Sequence, residues 1–218
     1  MQLFGLHPHP RRAALKMKAW VHINSQARET TQLLYTALHI HKQPITDWVR
    51  NRRNRCVVDV NKSRIRPYKP FATSHPITMQ VAASQAHFHW ALSHALKLCK
   101  LWAKKSRDGK KHGCLAHLRH IQYHIDKFGL PESMPKSITS DEWLDKMDLK
   151  RSASLKLRIA TKNPPTGCCF GVLGMEDEFF VTSMDSENGT VEKDWTASYS
   201  RYYEYKLMQP TVARLGMV

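Results

Sequence analysis

The clearest pattern of hydrophobic and polar positions along the chain lies between Trp20 and His41. Apolar residues recur there at helical steps, which predicts a helix that presses one face against a core. The residues of this apolar face are Trp20, Ile23, Ala27, Leu34 and Leu38. On another face, seven-residue steps join His22, Glu29 and Thr36. Such a polar stripe is either the solvated side of an amphipathic helix or one wall of a polar pocket, and spacing alone leaves both open.

The same periodicity predicts further helices. They run from Ile77 to about Lys105, from Cys114 to Phe128, and from Thr196 to Met208, with a short one near Asp141 to Met147. Gly129 and then Pro131 follow the helix from Cys114 to Phe128, in the order that is typical of a helix end.

Strand patterns are short and few. Residues 2–6, 56–66 and 178–193 have β-rich composition, and Asn188-Gly189 is a strong signal for a hairpin turn. Acidic residues concentrate around that turn, so we expect an inserted acidic β-hairpin at residues 167–195. The predicted fold class is mainly α (α+β), with a helical bundle core and short β-hairpin elements in a single helical domain spanning residues 1–218.

Charge changes this picture more than any other bulk property. The formal net charge of +16 favours a polyanionic partner, and nucleic acid, expected as double-stranded DNA, is the leading candidate. Charge alone also fits an anionic membrane or a host-protein partner. The chain has no apolar run long enough for a membrane span and no secretion signal at its start, so we expect no membrane association and a cytoplasmic protein, in the host cytoplasm if the protein is viral. The five scattered cysteines fit reduced thiols.

The basic residues concentrate in two segments that we expect to contact phosphates. The residues concerned are Arg50, Arg52, Arg53, Arg55, Lys62, Arg64, Arg66, Lys110 and Lys111. Arg64 and Arg66 alternate around Ile65, which would place both guanidinium groups on one face of a strand. The alternative is a solubilising edge strand.

Candidate chemistry is narrowed by the motifs that are missing. Phosphate-binding G-x-x-x-x-G-K-[ST], nucleophile-elbow G-x-S-x-G and zinc-binding H-E-x-x-H sequences do not occur. His117, His120 and His124 share one helical face, but ligands strung along a single face do not close on one tetrahedral ion, so we expect no metal and no other cofactor. The N-terminal amine remains as a nucleophile, because its ordinary pKa leaves part of it unprotonated at neutral pH.

Several short segments resemble one known family. The opening MQLFGLHP and the segment HINSQARETTQLL resemble the pyrimidine-dimer DNA glycosylase (endonuclease V type) superfamily, in divergent phage-like form. Phage proteins of unassigned role in the same broad group are similar through SHP at 74–76, GKKH at 109–112, LPESMP at 130–135 and the YSRYY near the end of the chain.

This resemblance implies a DNA glycosylase with abasic-site lyase activity on a damaged or modified base. By the resemblance, the Met1 amine would attack the sugar C1′, Glu29 would stabilise the cationic sugar or Schiff base, and His22 and Arg28 would hold phosphate or sugar. Two alternatives stay open: a phage protein that binds nucleic acid on the same scaffold without catalysis, and a virion or host-interaction protein that binds a protein partner through the acidic hairpin.

Overall fold

A computed structural model of the chain describes residues 5–7, 9–43, 65, 67–106, 108–138, 157–158, 172–173, 181–184 and 191–209. Its helices are α1 (Pro10–Leu15), α2 (Trp20–Ile40), α3 (Pro76–Ala83), α4 (Gln85–Lys105), α5 (Cys114–Phe128) and α6 (Trp195–Met208). The prediction of a mainly α fold is therefore confirmed. The predicted short helix at 141–147 lies outside the described residues.

The described strands form two antiparallel pairs. Strand β1 (Leu157–Arg158) pairs with β2 (Val172–Leu173), and β3 (Val181–Met184) pairs with β4 (Val191–Asp194). Of the other predicted β segments, 2–6 and 56–66, the structure describes only residues 5, 6 and 65, and none of these three lies in a strand. An inserted acidic element at 167–195 and a single domain over the whole chain stay predictions.

Helix α2 is the centre of the described fold. Ile23, Ala27, Leu34 and Leu38 of its predicted apolar face are buried, and α3, α4 and α5 all pack against it. Every side chain from Leu33 to Leu38 is buried, so the second half of α2 is enclosed on all sides. At Thr36, neither of the two predicted alternatives is correct, because the residue lies neither on a solvated face nor on a pocket wall but in the core.

Thr36 illustrates how the polar stripe is absorbed into that core. Its hydroxyl donates to the carbonyl of Gln32 at 2.8 Å and accepts the backbone N–H of Phe71 at 3.3 Å. A buried hydroxyl is tolerated when it is paired in this way. The hydrogen bond from Phe71 fixes the segment after Pro67 alongside α2.

The predicted helix from Ile77 to Lys105 is interrupted at Ser84, which is a correction. Ser84 adopts an extended backbone, with φ of −156° and ψ of 160°, and separates α3 from α4. Its hydroxyl accepts the backbone N–H of His87 at 3.2 Å, so it caps α4. Serine competes for backbone hydrogen bonds in this way, which favours helix starts over helix interiors.

The loop at 130–135 completes the cap of α4. The backbone N–H of Gln85 donates to the carbonyl of Pro135 at 2.8 Å. The backbone N–H of Ala86 donates to the carbonyl of Lys136, the next residue, at 3.1 Å. Two of the N–H groups that a helix start leaves unpaired are thereby satisfied by a distant segment. Ser133 of the same loop lies 2.8 Å from Nδ1 of His41, which follows α2.

Helix α5 ends as predicted. Gly129 has a φ of +76°, and its N–H donates to the carbonyl of Ile125 at 2.8 Å. A residue with a side chain is strained in this conformation, which explains the glycine.

Helix α6 packs across the start of α2. The buried hydroxyl of Tyr203 accepts the backbone N–H groups of Lys18 at 2.8 Å and Ala19 at 3.2 Å. Tyr202 is also buried, so these two tyrosines belong to the core, whereas Tyr205 is exposed. Within the described part of the chain, none of the helices combines the length and the apolar character needed to cross a bilayer.

Candidate functional site

The predicted site residue His22 lies near the start of α2, beneath α6. Its ring centre is 5.4 Å from that of Tyr203, with the two planes tilted by 54°. Burial lowers the pKa of His22, and the nearby charge of Lys206 lowers the pKa further. His22 is therefore neutral at neutral pH, and it would bind sugar or phosphate as a hydrogen-bonding group rather than as a cation.

Arg28 and Glu29 lie two turns further along α2. The Arg28 side chain is exposed and Glu29 is partly buried. Since neighbouring residues on a helix point in different directions, the two side chains belong to different faces. The rise of the helix separates the backbones of His22 and Glu29 by about 10 Å.

A histidine fastens the basic loop between α4 and α5 to α2. Nε2 of His112 lies 2.9 Å from Oδ1 of Asn24, and Nδ1 of His112 accepts the backbone N–H of Cys114 at 3.1 Å. These two contacts assign the hydrogen to Nε2 and keep the ring neutral. Burial lowers the pKa of His112, and the charge of Arg28 lowers it further, so Arg28 lies close to this junction.

The loop carries two of the predicted phosphate-binding residues next to that junction. Lys110 and Lys111 directly precede His112, and both side chains are exposed. Lys110 forms an ion pair with Asp108 at 2.8 Å, but both partners are largely exposed and such pairs are weak. The structure thus brings Lys110, Lys111 and Arg28 to one side of α2, because Asn24 and Arg28 are one helical turn apart.

The remaining predicted site residues lie outside the described residues. They are Met1, Arg50, Arg52, Arg53, Arg55, Lys62, Arg64 and Arg66. Ile65, between the last two, is buried. The roles assigned to these residues stay predictions.

A polar aromatic cluster beside Arg28 was missed by the sequence reasoning. The Tyr35 hydroxyl lies 3.2 Å from Nδ1 of His117, and the Tyr68 ring stacks on His117 with 4.6 Å between centres. The Tyr68 hydroxyl lies 3.5 Å from Sγ of Cys114, and burial raises the pKa of Tyr68. Tyr35 and His117 are 82 positions apart, so no local pattern could have paired them.

Two of the three histidines in the row on α5, His120 and His124, are buried in the core. His120 is completely buried, burial lowers its pKa to about 4, and neither ring nitrogen has a hydrogen-bond partner among the described residues. His124 Nε2 lies 3.5 Å from Oε1 of Gln43. Within the described ranges, no group of three or more His, Cys, Asp or Glu side chains could hold a metal ion.

No family model, curated protein or solved structure matches this chain. The resemblance to the pyrimidine-dimer glycosylases therefore stays a prediction that rests on the short segments quoted above. In the structure, four of those segments cap or join helices: His75 of SHP and Tyr203 of YSRYY accept backbone N–H groups at helix starts, LPESMP contributes to the cap of α4, and His112 of GKKH bonds Asn24 of α2.

Proposed function

We propose that this protein binds double-stranded DNA through the side of α2 that carries Arg28 and the loop of Lys110 and Lys111, and that it acts on this DNA as a DNA glycosylase with abasic-site lyase activity. The observation that carries the binding proposal is the contact of 2.9 Å between His112 and Asn24. This contact fixes the two exposed lysines relative to the helix of Arg28 and Glu29. Fixed cations bind phosphates with less loss of side-chain freedom than mobile ones.

The overall charge supports a nucleic acid as the partner. A net charge of +16 gives the chain a strong long-range attraction for a polyanion. Each phosphate that a lysine or arginine neutralises releases counterions, so affinity is expected to fall steeply as salt rises.

The catalytic part of the proposal follows from the resemblance and the character of α2. The unprotonated Met1 amine would attack C1′, the bond from C1′ to the base would break, and the base would leave after taking up a proton. The amine bound to C1′ would then lose a proton, and the bond between C1′ and O4′ would break with O4′ taking up a proton, which leaves a protonated imine between Met1 and the opened sugar. Glu29, on a helix that is rigidly enclosed further along, would stabilise the positive charge at C1′ as it develops.

Borohydride reduction tests this chemistry. Incubating the protein with a duplex that contains an abasic site should give a covalent adduct at the N-terminal residue, identified by mass spectrometry. Glu29→Gln should lower strand cleavage by about 100-fold or more, because it removes a fixed anion from the reaction centre. The DNA affinity of the Glu29→Gln variant should stay within about twofold of that of the unchanged protein at each salt concentration.

Glu132→Gln is the matched control, since Glu132 is exposed in the loop that caps α4 and the substitution removes the same charge. Cleavage by this variant should be unchanged. If no adduct forms, or if both glutamate variants cleave equally well, the lyase proposal is wrong.

A second candidate function is DNA binding without catalysis. It is favoured by the structural roles of the resembling segments, because helix caps maintain a scaffold whether or not chemistry takes place on it. Tight, salt-sensitive binding with no trapped adduct would establish this alternative. Weak binding that does not change with salt would instead favour a virion or host-interaction protein with a protein partner at the acidic hairpin.

A further inference from the structure

The basic loop between α4 and α5 begins and ends at the same aromatic residue. At its start, the backbone N–H of Ser106 donates to the carbonyl of Trp102 at 2.8 Å. Near its end, the ring of His112 meets the Trp102 ring edge-on, with 5.2 Å between the ring centres and 87° between the planes. Lys110 and Lys111 lie between these two contacts. Trp102 therefore brings the two ends of the loop together.

A second tryptophan joins this closed loop to α2. The Trp20 ring stacks on the Trp102 ring, with 3.7 Å between the centres and 23° between the planes. Stacked aromatic rings attract each other beyond the effect of burying their apolar area. Trp20 is the first residue of α2, and Asn24, which bonds His112, lies one turn further along. An aromatic stack and a hydrogen bond thus hold the loop to two successive turns of α2.

The next turn of the same face carries Arg28. Trp20, Asn24 and Arg28 are spaced by four residues, so they follow one another along one side of the helix. The rise of the helix places the backbone of Arg28 about 6 Å beyond that of Asn24. Burial, and then the charge of Arg28, lower the pKa of His112, so the guanidinium lies close to the loop. The contacts of Trp20 and Asn24 therefore set where the loop stands relative to Arg28.

The tryptophan stack lies at the edge of the core rather than inside it. Trp20 and Trp102 are both partly exposed. Trp90, on the same helix as Trp102, is only 6% exposed and stacks on the completely buried His94. Removing the Trp102 ring is therefore expected to act on the loop, whereas removing the Trp90 ring acts on the core.

We propose that Trp102 is a positioning residue, whose contacts with Trp20 and His112 hold the basic loop in one orientation beside Arg28. Without these contacts, the two lysines of the loop would have to be ordered each time that DNA binds, which lowers the affinity. The effect on DNA rests on the DNA binding proposed above. The effect on the orientation of the loop does not, so the two can be tested separately.

Trypsin cleavage after Lys110 and Lys111 tests the loop in the absence of DNA, because a protease needs a locally open chain. Trp102→Leu should be cut there about fivefold faster or more, whereas Trp102→Phe, which keeps a ring, should stay within about twofold of the unchanged protein. Cleavage after Lys136, exposed in another loop, is the internal reference. Trp90→Leu is the matched control, since it removes the same ring from the same helix and should leave cleavage of the basic loop unchanged. Circular dichroism melting curves establish that each variant is folded.

DNA affinity is then measured for the same variants by fluorescence anisotropy with a perfect duplex. Where both lysines are present, Trp102→Leu should weaken binding about fivefold or more, and Trp102→Phe should stay within about twofold of the unchanged protein. In the background of Lys110→Ala and Lys111→Ala, Trp102→Leu should change the affinity by less than about twofold, because no lysine of the loop is left to position. A loss that came from general instability would be equal in both backgrounds.

The outcomes distinguish the positioning role from the DNA binding on which it acts. Faster cleavage in Trp102→Leu, with an affinity loss that requires the two lysines, supports the positioning role. Faster cleavage in a protein that binds no duplex supports the hold of Trp102 on the loop and contradicts the DNA-binding proposal. The positioning proposal is overturned if Trp102→Leu is cut no faster than Trp90→Leu. It is also overturned if Trp102→Leu binds the duplex with unchanged affinity, or loses affinity equally with and without the lysines.

Discussion

The imidazole of His112 and the amide of Asn24 are joined at 2.9 Å, across 88 positions of sequence. His112 is buried and Asn24 is partly exposed, so the contact is partly shielded from water. Removing either partner should leave the other without its bond, at a cost of about 1–3 kcal/mol. The loop of Lys110 and Lys111 should then move freely relative to α2.

His112→Ala and Asn24→Ala are therefore expected to lower the free energy of unfolding and to weaken DNA binding. Urea denaturation of both single variants and the double variant should give a coupling energy of about 1 kcal/mol between the two residues. Gln122→Ala is the control, because Gln122 bonds Asp126 at 2.7 Å on the exposed side of α5. Equal effects of the three single variants on DNA binding would contradict the role of the contact.

The two exposed lysines themselves should contribute to affinity through phosphates. Replacing Lys110 and Lys111 by alanine should reduce the slope of log affinity against log salt by about two, one for each lost contact. The matched control is the pair Lys127→Ala and Lys136→Ala, which removes the same charge from exposed positions elsewhere. Anisotropy titrations over a range of salt concentrations measure both slopes, and identical slopes would show that binding responds to net charge alone.

Tyr203 should contribute stability through its hydroxyl. Tyr203→Phe keeps the ring but removes the acceptor for the N–H groups of Lys18 and Ala19, which should cost about 1–3 kcal/mol. Tyr205→Phe on the same helix removes an exposed hydroxyl and should change little. Chemical denaturation measures the free energy of unfolding of each variant. Equal values for the two variants would contradict the role of the Tyr203 hydroxyl as an acceptor at the start of α2.

Ser84 should be important for the start of α4. Ser84→Ala removes the acceptor for the N–H of His87 and should lower stability by about 1 kcal/mol. Ser93→Ala, within the same helix, should not be destabilising because alanine favours helix interiors. Thermal melts of both variants provide the comparison; a loss at Ser93 that matches the loss at Ser84 would be inconsistent with a capping role.

Stability should fall in mild acid because of His94. This residue is completely buried, and burial lowers its pKa from the ordinary 6.5 to about 3. Between these values the unfolded chain binds a proton that the folded chain does not, so stability is lost as the pH falls from about 6.5 towards about 3. At about pH 5 the loss from one such histidine is about 2 kcal/mol.

His94→Leu should reduce this pH dependence, whereas the same change at His89, which is exposed on α4, should not. Urea denaturation at about pH 7 and pH 5 distinguishes the two variants. His120 should contribute in the same direction, since burial lowers its pKa to about 4. An unchanged pH dependence in His94→Leu would mean that His94 is not the group responsible.

Local patterns were sufficient where neighbouring residues decide the structure. The apolar stripe of α2 and the glycine end of α5 depend on spacing within a few turns, and both predictions are confirmed by Ile23, Ala27 and Gly129. The break at Ser84 was missed because an apolar stripe passes through it. Only the accepted N–H of His87 and the carbonyls of the 130–138 segment show that a new helix begins there.

The candidate site was less predictable because distant segments build it. Thr36 was placed on a polar stripe, but the segment at Phe71 covers it. The pairing of Asn24 with His112, and that of Tyr35 with His117, joins residues more than 80 positions apart, so periodicity carries no information about either. Arg28 and Lys111 are exposed, as charged side chains usually are, and their roles in the site stay predictions.

The hydrogen bonds from Lys18 and Ala19 to Tyr203 also bear on how the chain matures during translation. The two donors emerge from the ribosome early and their acceptor emerges some 180 residues later. Until then the two N–H groups at the start of the central helix lack this acceptor. A chain that ends before that tyrosine would therefore lose both bonds.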